Sequence, residues 1–124
     1  MTTKELLVIF NAGSTSLKYK IFDYKTLELL DSETFDIEEK GKEREILQEA
    51  LFNKIIEKAN SLGNVKSFGH RVVHGGDEFT KPTIINKNNI KKLAKYNELA
   101  PLHNPYNLSF INLALTNQPK IKNI

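Results

Sequence analysis

The stretch LLVIFNAGSTSLKYK, residues 6–20, decides the fold predicted for this chain. Five apolar residues, Leu6 to Phe10, form an unbroken run, which is typical of a strand buried on both faces. After a small polar segment at 11–16, apolar residues alternate with lysines from Leu17 to Ile21, which predicts a second strand. Two strands joined by a short polar segment predict a β-hairpin.

The turn of this hairpin carries the groups that an anion requires. Asn11 supplies an amide, Ser14 and Ser16 supply hydroxyls, and Lys18 supplies a positive charge. Gly13 permits positive φ and close backbone approach, so backbone N–H groups are able to converge on a phosphate. The segment contains neither of the known phosphate-binding motifs GxxxxGK[ST] and GxGxxG. An ordinary β-hairpin with a polar turn therefore remains an alternative explanation of the same residues.

Length and composition restrict the class of protein. The chain has 124 residues, 40% hydrophobic and 27% charged, which indicates about one globular domain. The net charge of +3 suits an anionic ligand, and the pI of about 9.0 makes a nucleic-acid binder an alternative. Its basic residues are scattered, so nucleic acid is not an expected partner. The absence of cysteine excludes disulfides and thiolate metal sites, and no segment resembles a signal peptide or a membrane span.

Beyond the hairpin, the pattern predicts a mixed sheet with helices. We expect a third strand at 27–37, a solvated charged connector at 38–44, a helix at 43–62 and a fourth strand at 65–74. Three strands, a helix and a strand predict an antiparallel meander joined by a helical crossover to a further strand, an α/β fold. The later predicted elements are a short strand at 83–85, helices at 86–98 and 105–116, and the first residues of a strand at 117–124.

Apolar spacing predicts which helix faces pack on the sheet. In the first helix, the predicted buried face consists of Ile46, Leu47, Ala50, Leu51, Ile55, Ala59 and Leu62. In the last helix, it consists of Leu108, Ile111, Asn112 and Leu115. Asn104 is the expected N-cap of that helix, and Pro105 is its expected first residue.

Four residues outside the turn are candidates for chemistry. Arg71 lies among apolar residues of a predicted strand and suits a carboxylate or phosphate, and a structural salt bridge explains it equally well. His103 precedes a predicted helix N-terminus, where an anion is stabilised, and local capping is the alternative. His70 and His74 share a predicted strand face, but no third metal ligand is evident, so structural histidines are favoured.

Three blocks of the sequence together resemble the acetate kinase family of acyl-phosphate-forming kinases. They are FNAGSTSLK at 10–18, GHRVVHGG at 69–76 and APLHNPYN at 100–107. The third block resembles acetate and propionate kinases more than butyrate kinases. The resemblance implies the ribonuclease H-like ATPase fold of actin, the heat-shock chaperones and the sugar kinases. It also implies a reversible, Mg²⁺-dependent transfer of phosphoryl from ATP to acetate, which gives acetyl phosphate and ADP.

The resemblance further implies roles for individual residues. Catalysis falls to Arg71, which would grip the substrate carboxylate or the transferred phosphoryl group, and to His103, which would stabilise that group. Val73 and Leu102 would line an apolar pocket for the acetate methyl group, beside Arg71. Four residues of the first block would bind phosphate and ATP: Asn11, Ser14, Ser16 and Lys18. Of these, Asn11 would lie beside Mg²⁺.

The resemblance covers the N-terminal domain of family members. We therefore expect residues 1–124 to be a single, incomplete N-terminal domain without its C-terminal domain, as in a fragment, a proteolytic product or a disrupted gene. The resemblance puts an essential aspartate, a second histidine and a second arginine beyond these residues, so the chain alone is expected to be inactive. A stand-alone phosphate- or carboxylate-binding module is the alternative. The full-length protein would be a cytoplasmic homodimer.

Overall fold

The computed structural model describes residues 4–72, 75, 81–99 and 104–124. The strands are Glu5–Ala12 (β1), Ser16–Asp23 (β2), Leu29–Asp36 (β3), Asn64–His70 (β4) and Lys122–Asn123 (β5). The helices are Gly41–Leu62 (α1), Asn89–Leu93 (α2) and Asn104–Asn117 (α3), and a 3₁₀ segment, Ala94–Leu99, follows α2. Within these ranges, every helix is too short or too polar to cross a membrane.

The five strands form one mixed sheet in the order β3-β2-β1-β4-β5. β1, β2 and β3 pair antiparallel in sequence, whereas β4 pairs parallel to β1 after the crossover through α1. The predicted meander and helical crossover are therefore confirmed. The strand predicted to begin after residue 117 is also confirmed, because β5 pairs parallel to β4.

Burial alternates along β1 instead of covering both of its faces. Val8 and Phe10 are fully enclosed, whereas Leu7 and Ile9 are half-buried. The predicted burial on both faces is wrong because α1 and α3 both pack on the face that carries Val8 and Phe10. The opposite face, which carries Ile9 and Asn11, therefore stays accessible for a site.

Four phenylalanines from four elements form the centre of the core. Phe10 of β1 contacts Phe52 of α1, Phe68 of β4 and Phe110 of α3, with ring centroids 5.8, 5.4 and 4.8 Å away. All four rings are almost completely buried. This aromatic cluster fixes both helices against the sheet, because each ring contributes a large apolar area and a preferred tilted geometry.

The predicted packing face of α1 is partly wrong. Ile46 is 62% exposed and Ala50 is also exposed, although Ile55 and Ala59 are buried as predicted. The helix is rotated because Phe52, which the predicted face leaves out, enters the aromatic cluster. The face that the structure buries consists of Arg44, Gln48, Phe52, Ile55, Ile56 and Ala59.

Several predicted boundaries shift for local reasons. The third strand starts after Leu27, which has a φ of 60° in the preceding turn. The helix predicted at 86–98 begins only at Asn89, because the Asn86 side chain accepts hydrogen bonds from the N–H groups of Asn88 and Asn89 at 2.9 Å. The short strand predicted at 83–85 is only one bridge, from Ile85 to Asn123.

The fourth strand ends at His70 rather than at residue 74. The Arg71 N–H continues the ladder by one residue, donating to the Phe10 carbonyl at 3.1 Å. At the other end of this strand, Gly63 ends α1 where the chain passes close to Lys4. A Cβ at Gly63 would lie 2.3 Å from the Lys4 carbonyl oxygen, so only glycine fits.

The last helix packs on two sides. Phe110 and Ala114 contact the main core, whereas Leu108 and Ile111 join a second apolar cluster with residues of α2. The predicted burial of Leu108 and Ile111 is confirmed. The predicted burial of Asn112 is wrong, because this side chain is exposed between the two contact faces, and Leu115 is only half-buried.

Candidate functional site

A groove on the sheet face opposite α1 holds three of the predicted site residues. Asn11 of β1 and Lys18 of β2 are direct partners in the antiparallel register, and Arg71 follows β4 beside them. The groove has a volume of about 400 Å³ and is lined by Ile9, Asn11, Lys18, Tyr19, Lys20, Phe22 and Arg71. None of these lining residues is acidic, so three cationic side chains and one amide favour an anion here.

An apolar cavity adjoins this groove. It has a volume of about 390 Å³, and its walls include the aliphatic side chains of Val72, Ile85, Leu93 and Ile111. The two cavities share Ile9 and Arg71. Arg71 is itself exposed. It therefore lies between a cationic groove and an apolar cavity, an arrangement that suits a small ligand with an anionic end and an apolar end.

The two predicted serines lie at the hairpin tip in different surroundings. Ser16 is the first residue of β2 and shares its sheet face with Lys18, because side chains alternate along a strand. Ser14 instead lines a recess of about 530 Å³, together with Arg44 of α1 and Tyr106 of α3. The structure brings Asn11, Lys18 and Arg71 into one groove but does not bring Ser14 into it.

The carbonyl groups of the turn are all held by hydrogen bonds. The Asn107 side chain donates to the Ala12 carbonyl at 2.5 Å, and the two terminal nitrogens of Arg44 donate to the Gly13 and Ser14 carbonyls, also at 2.5 Å. The Ile37 N–H donates to the Thr15 carbonyl at 2.8 Å. Gly13 does not have the positive φ that its presence permits. Three of the four donor groups belong to α1 and α3, so the helices hold most of the turn carbonyls.

Two residues that hold the turn, Arg44 and Asn107, are not among those predicted from the sequence. Arg44 was expected to be part of a solvated connector, but it is the first buried residue of α1 and only 8% exposed. A signal was available, because Arg44, Gln48 and Phe52 follow one another at four-residue spacing and so share a helix face. Asn107 ends the third block at 100–107, whose side-chain contacts the sequence does not reveal.

Four residues that the sequence singles out, three for a predicted role and His74 as a favoured structural histidine, lie outside the described residues. They are Val73, His74, Leu102 and His103. Their predicted roles remain predictions. The described residues next to them in sequence are Val72, Gly75 and Asn104. Val72 contacts the second apolar cluster, Gly75 lines the apolar cavity, and Asn104 is buried at the start of α3.

His70 is a structural residue, as the sequence analysis favoured. Its Nε2 lies 2.7 Å from the Asn123 side-chain oxygen, and its ring stacks on Phe10 with a centroid distance of 5.5 Å. Burial lowers the pKa of His70 to about 4, and the hydrogen bond with Asn123 opposes this shift only in part. The imidazole is therefore neutral near pH 7 and connects β4 to β5.

Acidification is expected to destabilise the fold through His70. The unfolded chain binds a proton at His70 near pH 6.5, whereas the folded chain does not until about pH 4, so the free energy of unfolding falls as pH decreases between these values. From pH 7 to 4.5 we expect a loss of about 2 kcal/mol attributable to this group. Urea unfolding of the wild type and of His70→Gln at both pH values measures this loss. The difference between the two proteins isolates His70, because every other titrating group is common to both. Equal pH slopes in the two proteins would contradict the assignment.

The described residues do not form a metal cage. Among them, no three histidine, cysteine, aspartate or glutamate side chains lie close enough to hold an ion. The groove beside Asn11 is cationic, which disfavours a bare divalent cation. These residues therefore fit a phosphate better than Mg²⁺ itself.

Comparison with known proteins identifies what the chain resembles. Residues 6–124 match the model of the acetokinase family. The chain is 31% identical to an acetate kinase of Bacteroides thetaiotaomicron and 32% identical to one of Phocaeicola vulgatus, in each case over 95% of its own length and 36% of the relative's. The fold is similar to that of a propionate kinase from Francisella tularensis, with a TM-score of 0.75 at 24% identity, over 96% of this chain and 35% of that one. The chain spans about a third of the length of the relatives it matches.

Proposed function

Because the chain belongs to the acetokinase family, we propose that it forms the substrate side of an acetate kinase. That enzyme transfers the γ-phosphoryl group of ATP reversibly to acetate and produces acetyl phosphate and ADP. One observation carries the proposal: Arg71 lies between an apolar cavity and a cationic groove. Acetate has a carboxylate and a methyl group, and its carboxylate must meet a phosphoryl group.

The proposed mechanism depends on positioning and charge neutralisation. A carboxylate oxygen of acetate attacks the γ-phosphorus, and the bond from that phosphorus to the β–γ bridging oxygen breaks, so ADP leaves with the electron pair. Acetate is already ionised near pH 7 and needs no general base. Negative charge accumulates on the equatorial oxygens, which the guanidinium of Arg71 and, in our proposal, the imidazole of His103 stabilise.

The phosphate chain of the nucleotide is proposed to lie along the groove and the hairpin tip. Lys18 supplies a charge there, and Asn11 supplies an amide beside the phosphates. Ser14 and Ser16 are proposed as hydroxyl donors at the tip. Mg²⁺ is proposed to arrive with the ATP phosphates, its usual mode of binding, close to Asn11 and without a cage of protein ligands.

Val73 and Leu102 are proposed to close the apolar pocket around the substrate methyl group. Discrimination between acetate and propionate would then rest on one methylene group, which a hydrophobic pocket resolves by only about 1–3 kcal/mol. We further propose that the whole enzyme is a homodimer and acts in the cytoplasm, where a chain without cysteine has no need of disulfides.

A coupled assay tests this proposal. The gene product at its native length is expected to form ADP from ATP in an acetate-dependent reaction, whereas the 124-residue chain alone is expected to show no turnover above background. Calorimetry on the 124-residue chain with acetyl phosphate distinguishes the proposed kinase from the alternative function, a binding module without catalysis. Binding in the absence of any turnover by the native-length product would favour that module, and absence of both would refute the proposal.

A further inference from the structure

The geometry of the peptide group determines where the N–H groups of the turn point. In a trans peptide, the carbonyl of one residue and the N–H of the next lie in one plane and point in opposite directions. No cis peptide occurs in the described part of the chain. Because Arg44 holds the Gly13 and Ser14 carbonyls on the helix side, the N–H groups of Ser14 and Thr15 must point away from it.

These two N–H groups are available to a ligand. Among the described residues, neither the Ser14 nor the Thr15 N–H has a hydrogen-bond acceptor. The preceding N–H, that of Gly13, is already used, because it donates to the Ser16 carbonyl at 2.8 Å. Two adjacent free amides at the hairpin tip form a short anion-binding concavity of the kind that holds phosphate in other turns.

Burial of the charged Arg44 side chain costs free energy, which a purely structural role does not explain. It is almost completely buried, and in the described part of the chain no carboxylate lies within salt-bridge distance of it. Its Nε is buried without a hydrogen-bond partner among the described residues, and its guanidinium lies 4.4 Å from the centre of the Tyr106 ring. Desolvation lowers its pKa, but an arginine side chain remains charged near pH 7. The two carbonyls of the turn are the only hydrogen-bond acceptors that the described residues offer it.

We propose that Arg44 is the positioning residue of the phosphate-binding turn. It holds the Gly13 and Ser14 carbonyls on the helix side and thereby presents the Ser14 and Thr15 amides to a phosphate group. This inference rests on the proposed function for its biological meaning, since the phosphate would be that of ATP or acetyl phosphate. Arg44 itself does not contact the ligand, because the turn separates the two.

Amide resonances test the proposal without any need for enzymatic activity. The 124-residue chain, labelled with ¹⁵N, is titrated with inorganic phosphate at low ionic strength while the Ser14 and Thr15 signals are followed. The wild type is expected to show saturable shifts at both amides. Arg44→Met retains an unbranched apolar stem but removes both donors, and is expected to weaken phosphate binding at least tenfold. Arg44→Lys, which restores one donor, is expected to lie between them.

Gln48→Met is the matched control. Gln48 lies one turn further along the buried face of α1, and its buried Nε2 has no hydrogen-bond partner in the described part of the chain, so it does not hold a carbonyl of the turn. This variant is expected to bind phosphate as the wild type does. A mere loss of stability lowers the folded fraction without changing the dissociation constant of the folded signals, so it does not imitate the expected result.

Two outcomes would overturn the positioning role. One is phosphate binding by Arg44→Met, or by Arg44→Lys if the first variant does not fold, that equals the wild type. The other is a wild-type titration in which the Ser14 and Thr15 amides do not shift. In the native-length gene product, Arg44→Met should also raise the KM for ATP with little change in the KM for acetate. A wild-type protein without acetate-dependent turnover refutes the proposed function but leaves the phosphate titration valid.

Discussion

Replacement of Arg71 by alanine is expected to lower kcat/KM for acetate by about 10²–10³-fold in the native-length gene product, the loss typical of removing one charge-stabilising donor. The side chain is exposed between the apolar cavity and the cationic groove. In the proposed function it binds the substrate carboxylate there. The fold should be unaffected, because the sheet uses the Arg71 backbone N–H, which alanine retains. The coupled assay measures the loss, and circular dichroism measures the fold.

Two further variants make this result specific to the guanidinium. Arg71→Lys keeps the charge but loses the planar fork, so an intermediate loss is expected. Lys81→Ala removes another exposed cation from the wall of the same apolar cavity and is expected to change kcat/KM by less than about threefold. Near-wild-type kcat/KM in Arg71→Ala, or an equal loss in Lys81→Ala, would refute the role of Arg71.

The meander and the helical crossover could be predicted because their signals are local. The alternation of Leu17, Tyr19 and Ile21 with lysines identifies β2, and the polar turn before it fixes the hairpin. A long helix between the third and fourth strands predicts a crossover connection, but only the structure shows that β4 then pairs parallel to β1. The meander and the crossover can be predicted without knowing which side chains contact each other in the folded chain.

The rotation of α1 could not be predicted in the same way. Apolar residues occur all round this helix, so spacing alone favoured the face with Ile46 as strongly as the face with Phe52. The choice is made by a distant partner, because Phe52 fits among Phe10, Phe68 and Phe110. Burial of a large aromatic ring outweighs exposure of one isoleucine.

The residues of the candidate site also differ in whether local sequence predicts them. Asn11 and Lys18 could be predicted to act together, because they are partners in one hairpin. The contribution of Arg44 could not, since it lies 30 residues from the Ser14 carbonyl it binds and follows a run of charged residues. A cation in such a run is usually solvated. Only the packing of α1 against the hairpin tip explains why this one is buried.

Replacement of Phe10 by alanine is expected to destabilise the chain by about 3–5 kcal/mol, the range for removing a buried aromatic ring. The Phe10 ring contacts Phe52, Phe68 and Phe110, and it also stacks on His70. Its removal leaves a cavity that rigid strands on either side cannot close. Since domains of this size have about 5–15 kcal/mol of stability in total, the variant should unfold at a much lower urea concentration.

Phe22→Ala provides the matched control for Phe10→Ala. Phe22 lies on the opposite face of the same hairpin and is only half-buried, so its loss should cost about 1 kcal/mol. Urea unfolding of both variants gives the comparison, and similar losses of stability would contradict the one-sided core.

The loss of the Phe10 ring also affects the candidate site, because the Phe10 carbonyl accepts the Arg71 N–H and Asn11 follows Phe10 directly. A loosened Phe10 would therefore misplace both groups, and Phe10→Ala should weaken anion binding even under conditions where the chain remains folded.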